Sequence, residues 1–116
     1  MIRTRYFLGL PFVTLKIGNL EIEAVLDTGF NGSLLLPENI IQNLQFKAIG
    51  SAEYAMADGT LSESKVFSVE IDWLGGRKKV SVVSSESDLS LVGMELLYDI
   101  QTMLHPAKNI LKMTPA

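Results

Sequence analysis

The chain has 116 residues, 47% hydrophobic and 20% charged; that length suits one domain, residues 1–116, and that apolar content excludes a disordered polymer. Thirteen acidic against ten basic residues leave a formal net charge of -3, without the cationic surplus that binding to nucleic acid requires. Cysteine is absent and His105 is the only histidine, which removes disulfides, thiol nucleophiles, cysteine-ligated metals and a serine triad with a histidine to spare.

Arg3 and Arg5 precede an apolar run over residues 6–13, but Pro11 interrupts it and no small-x-small cleavage site follows. The segment therefore reads as mature sequence, with a cytoplasmic location expected. No stretch approaches the ~20 apolar residues of a membrane span. Residues 12–17 are β-branched and partly alternating, Gly18-Asn19 predicts a turn, and residues 20–26 alternate with Glu21 and Glu23 outward, which makes a hairpin. Asp27-Thr28-Gly29 breaks the alternation and Phe30-Asn31-Gly32 continues as a loop. Residues 33–36 read as a short buried strand, and Pro37 opens a helix over 37–44 with Ile40, Ile41 and Leu44 on one face.

Strand text resumes at Phe46, and residues 54–57 face Thr60-Leu61 across Asp58-Gly59, a dipeptide that predicts a type I′ turn. Residues 66–73 alternate, Gly75-Gly76 turns the chain, and 77–83 completes a third hairpin. A polar loop over 84–90, a short strand at Leu91-Val92, a helical turn or two over 94–98 after Gly93, and a strand, a His105-Pro106 turn and a last strand finish the chain. The reading is mostly antiparallel β with two short helices.

One position carries a chemical signal. A carboxylate at the end of the apolar strand Ala24-Val25-Leu26 is costly to bury without compensation. Asp27 can cap a turn through its side chain, with Gly29 supplying a positive φ, or it can be catalytic. The surroundings bear on the choice: a loop, a leucine-rich strand and a proline-led helix follow Asp-Thr-Gly, and Leu91-Val92-Gly93 precedes a second leucine-rich helix about 60 residues on.

This order resembles the retropepsin-like aspartic proteases, above all the small single-domain members of bacteria and archaea, over roughly residues 11–113. The motif is Asp27-Thr28-Gly29-Phe30-Asn31-Gly32, ending at Leu36-Pro37; Phe30 departs from viral members, which usually carry a small residue there. The resemblance implies a closed β-barrel with short helices, forming half of a two-fold dimeric peptidase. Two carboxylates held close cannot both ionise, so they share a proton and can act together as base and acid on water and a peptide carbonyl. That chemistry needs no metal or cofactor.

The chain has one Asp-Thr-Gly, and Asp58-Gly59 lacks both the apolar lead-in and the threonine. The partner carboxylate must therefore come from a second copy, in a symmetric homodimer. The strand-like tails, residues 1–8 and 109–113, are expected to add interface. The resemblance further implies that Asp27 is catalytic, that Thr28 braces the two loops, and that Gly29 allows close approach of backbone to water and substrate. Met56, Ala57, Asp58 and Gly59 would form a flap over a peptide or protein substrate, where residues alone permit an ordinary surface hairpin. Leu91, Val92 and Gly93 would pack behind the loop. A non-catalytic dimeric peptide-binding or assembly module on the same fold is the alternative function.

Other features have plainer readings. Arg77-Lys78-Lys79 reads as a solvated strand edge and Trp73 as core. Asn31-Gly32-Ser33 matches a glycosylation acceptor in form only.

Overall fold

The computed structural model describes residues 3–44, 46–55 and 57–115, with the backbone alone at 52, 54 and 62. Among the described residues, ten strands and two short α-helices follow in the order β1 (Arg3–Phe7), β2 (Leu10–Ile17), β3 (Leu20–Leu26), β4 (Leu34–Pro37), α1 (Glu38–Leu44), β5 (Lys47–Ala55), β6 (Leu61–Trp73), β7 (Gly76–Ser85), β8 (Leu91–Val92), α2 (Met94–Leu97), β9 (Ile100–His105) and β10 (Ile110–Pro115). The protein is mostly β, as the alternation of its apolar residues predicts. No helix among the described residues is long and apolar enough to cross a membrane.

Eight strands form one sheet in the order β1-β2-β3-β8-β4-β7-β6-β5, and β9 and β10 form a separate antiparallel pair. The large sheet curls until β2 meets β6 through the pair Lys16↔Asp72. Its centre is a crossover: β8 runs parallel to β3, with Val25↔Leu91 and Leu26↔Val92, and antiparallel to β4, with Leu34↔Val92 and Leu35↔Leu91. Leu91 and Val92 thus sit between the strand that delivers Asp27 and the strand that leaves its loop. Both are fully buried, which explains an unbroken apolar pair in place of alternation.

The side chains divide into two clusters. The larger collects Val13, Leu15, Ile17, Leu34, Leu36, Ile71, Val82, Val92 and Leu96 inside the curl, with Ile41 of α1 and Trp73 against them. The smaller, on the opposite face, holds Val25, Phe30, Leu35, Val83 and Leu91. Period-2 geometry makes this division, since Leu34 and Leu36 face one way and Leu35 the other.

Several boundaries differ from the sequence reading. Pro37 ends β4, paired with Ser85, rather than opening the helix. The strand after the tip starts at Leu61 and runs unbroken to Trp73, and β7 extends through Ser84 and Ser85 because the parallel ladder with β4 uses their backbone. The third hairpin turns at Leu74-Gly75, with Gly76 already paired to Trp73. The amino-terminal strand folds back on β2 as an unexpected hairpin across Leu8-Gly9.

Candidate active site

The loop after β3 is held by backbone hydrogen bonds from both sides. Asp27 N–H donates to Val92 O at 2.9 Å, Gly93 N–H to Ser33 O at 3.0 Å, Met94 N–H to Phe30 O at 2.8 Å and Glu95 N–H to Gly32 O at 3.1 Å. The first residues of α2 therefore spend their otherwise unpartnered N–H groups on the carbonyls of the Asp27 loop. The Ser33 hydroxyl donates to Glu95 Oε1 at 2.9 Å and adds a side-chain tie between the same segments.

Within this frame Asp27 is half-buried and accepts the Gly29 N–H on Oδ1 at 2.8 Å, while Thr28 beside it is exposed. The carboxylate is thus oriented by its own loop and remains accessible. Gly29 is needed for space. Its φ is not positive, contrary to the turn reading, but a Cβ there would lie 2.6 Å from Ala57 Cβ and 2.8 Å from Ala57 Cα. The β5–β6 hairpin thus comes down onto the Asp27 loop.

A second tie is the Ala55 N–H, which donates to Asn31 Oδ1 at 3.2 Å. Sequence reasoning gave Asn31 no such part. Its position four residues after Asp27, on an exposed loop, was the available signal.

Phe30 is fully buried in the smaller cluster. Two glycines make room for its ring: a Cβ on Gly32 would meet Phe30 Cζ at 2.7 Å, and one on Gly93 would meet Phe30 Cδ2 at 2.5 Å and Gly32 O at 2.2 Å. A large residue at 30 is therefore matched by glycine at 32 and 93. Leu91, Val92 and Gly93 lie directly against the loop.

Ala55↔Leu61 is the last ladder pair of the hairpin, and the described residues of its tip are 57–60. Met56 lies outside the described residues. Gly59 has φ +86°, but Asp58 does not have the positive φ that type I′ requires. Its carboxylate instead turns forward to accept the Thr60 N–H at 3.0 Å and the Thr60 hydroxyl at 2.7 Å, a local closure typical of aspartate in turns.

Those bonds, the hydroxyl first and the backbone N–H next, lower the Asp58 pKa from its ordinary 3.8. They favour the ionised form, so this contribution to the tip is present above the unfolded value and is lost as pH falls through the lower native one. Asp58 is fully exposed, and the effect is local to the tip. In a carboxyl titration followed by NMR, Asp58 is expected to have its midpoint below 3.8, and Thr60→Val, which removes the hydroxyl and keeps the backbone N–H, to move it part of the way back up. An unchanged midpoint in the variant would remove the Thr60 hydroxyl as the cause.

A groove of about 960 Å³ runs beside the smaller cluster, lined by Leu35, Phe67, Leu89 and Leu91 with Ser64 and Ser84. Asp27 does not line it, and the space over the Asp27 loop is taken by Ala57.

No family model matches the sequence, and no curated protein matches it. Among solved structures the chain is similar to a retropepsin-like aspartic protease from Rickettsia conorii, with 21% identity and a TM-score of 0.70 over 96% of this chain and 86% of that one. It is also similar to a foamy viral protease-reverse transcriptase solved in complex with an RNA/DNA hybrid, with 19% identity and a TM-score of 0.55. That match covers 73% of this chain but only 11% of the viral one. The chain has a retropepsin-like fold.

Proposed function

We propose that the protein is an aspartic endopeptidase that works as a homodimer, with Asp27 of each copy forming the catalytic pair. The observation that carries this reading is the Asp27 loop: an accessible carboxylate at the end of a buried strand, anchored by β8 and α2 and faced by a hairpin, in a retropepsin-like fold. A single chain offers one such carboxylate, and the chemistry needs two. A two-fold axis beside the exposed Thr28 supplies the second and lets the threonines of both copies brace the loops. In this arrangement the contact of β2 with β6 is the seam of a barrel.

The reaction runs through a water held between the two carboxylates. The ionised one takes a proton from the water as its oxygen bonds to the peptide carbonyl carbon, and the protonated one gives its proton to the carbonyl oxygen. Collapse of the tetrahedral species breaks the carbon–nitrogen bond, with a proton delivered to the leaving nitrogen. No metal or cofactor takes part.

Admission of a peptide requires the β5–β6 hairpin to lift, since Ala57 rests on Gly29. The Asn31–Ala55 hydrogen bond, at 3.2 Å, must open. An extended substrate would then lie under Ala57, Asp58 and Gly59, and water would be excluded as the hairpin returned.

The test is hydrolysis of an unstructured protein across a pH series, with and without chelator. Cleavage is expected to follow a bell on the acidic side of neutral, because the singly protonated pair is the reactive form, and to be indifferent to chelator. Binding of peptide with no cleavage at any pH would return the non-catalytic module. A rate that climbs through pH 7 to about 9 would indicate another base.

A further inference from the structure

The Asp27 loop and the β5–β6 hairpin meet in a regular way. Gly29 lies against Ala57, so closely that a Cβ on the glycine would come within 2.6 Å of Ala57 Cβ, and Asn31 accepts the Ala55 N–H on Oδ1 at 3.2 Å. Two residues forward on the loop thus correspond to two residues back on the hairpin. That is the register of antiparallel neighbours, and it lays residues 29–31 along the hairpin where an added strand would lie.

The hairpin offers a place for such a strand. β5 is the last strand of the large sheet, and its ladder to β6 ends at Ala55↔Leu61. An edge strand turns every second N–H and C=O away from its neighbour, and an extended chain that comes alongside pairs with them. The Ala55 N–H is directed at the loop, and its acceptor there is a side-chain amide oxygen. Asparagine presents the same carbonyl group that a peptide backbone presents.

The contact is built to give way. A separation of 3.2 Å is at the long end for an N–H···O bond. Asn31 is exposed and Ala55 half-buried, so water reaches both partners once they part. The loop itself does not depend on this side chain, because the backbone of Asp27, Gly93, Met94 and Glu95 holds it from the other side.

We propose that Asn31 is a built-in competitor of the peptide: its amide oxygen holds the β5 backbone donor that an extended ligand would use, so the chain rests closed and binding must displace it. This deepens the reading of the site given above and rests on it. When a peptide enters, its carbonyl replaces Asn31 Oδ1 on the Ala55 N–H and its backbone replaces the loop beside Ala57. One acceptor is exchanged for another, and the Asp27 loop is uncovered in the same step. A folded or helical segment cannot present a free backbone carbonyl in that register, and it leaves the hairpin shut.

The experiment compares Asn31→Ala and Asn31→Asp with the parent chain. Hydrogen exchange at the Ala55 amide reads the latch, and titration with oxidised insulin B chain, an unstructured peptide, reads affinity in an Asp27→Asn background where nothing is cut. Asn31→Ala is expected to quicken Ala55 exchange and to tighten the B chain, each by roughly two- to tenfold, the worth of one hydrogen bond. Asn31→Asp keeps an acceptor oxygen and is expected to keep Ala55 exchange near the parental rate, and both variants are expected to melt with the parent. Unchanged exchange in Asn31→Ala overturns the latch, and a B chain bound no better by that variant overturns the competition. Weaker binding would make Asn31 a ligand contact and overturn the inference as well. Hydrolysis enters neither measurement, so a parent chain that binds the B chain and cuts nothing overturns the peptidase reading while the latch stands on its own results.

Discussion

Asp27→Asn is expected to lower peptide hydrolysis by at least about 10³-fold, the scale of a lost acid–base pair, with the fold unchanged. The substituted amide keeps an oxygen where Oδ1 accepts the Gly29 N–H at 2.8 Å, and the Asp27 N–H to Val92 O bond involves backbone alone. The loop therefore keeps its supports, and stability should change by about 1 kcal/mol or less, the worth of one hydrogen bond. The proton exchanged with water and substrate is lost. Circular dichroism, thermal unfolding and the hydrolysis rate check this together. A variant with parental activity would remove Asp27 from the chemistry, and one that is unfolded would make it structural.

Gly93→Ala is expected to be the most damaging single methyl group in the chain. Its Cβ would meet Gly32 O at 2.2 Å, Phe30 Cδ2 at 2.5 Å and Phe30 O at 2.7 Å. Two of these three are backbone oxygens of the Asp27 loop, which hydrogen bonds from α2 hold in place, so rotamer change cannot relieve the contact. Overpacking costs about 1–3 kcal/mol, and a backbone obstacle belongs at the top of that range. A chain of this size would lose roughly 10 °C in melting temperature. Activity should fall too, because relief requires the loop to move away from α2. Phe30→Leu in the same chain is expected to recover only part of the loss, since it frees the ring contact and leaves both oxygens. Unchanged melting in Gly93→Ala would show that β8 and the loop are not packed as described.

Much of this was readable from residues. The run Ala24-Val25-Leu26 ending in Asp27 announced a strand that delivers a carboxylate, and Leu91-Val92 announced a short apolar strand. The insertion of β8 between β3 and β4 was not readable, because pairing between segments some 60 residues apart leaves no local mark. The turn reading of Gly29, a positive φ, fails for a similar reason: the lack of room for a Cβ comes from Ala57, remote in sequence, and not from its own φ.

Turns were the weakest part. Asp58-Gly59 carries the standard hairpin signal, yet the aspartate spends its side chain on Thr60 and the tip widens. Leu8-Gly9 carries no such signal and turns tightly. Leu8 has a φ of 51°, and leucine at a left-handed position contradicts local preference, so local reasoning passed over the β1–β2 hairpin entirely.

The central claim, that two copies of Asp27 form one catalytic site, is tested most directly by mixing. Parent chain and Asp27→Asn are combined at increasing ratios with total chain held constant, allowed to exchange subunits, and assayed for hydrolysis of a peptide at acidic pH. Only parent–parent dimers carry two carboxylates, so activity should follow the square of the parent fraction, reaching about a quarter at equal amounts under random pairing. Activity that falls in simple proportion, to about half at equal amounts, would mean that each chain works alone, and would contradict the shared site.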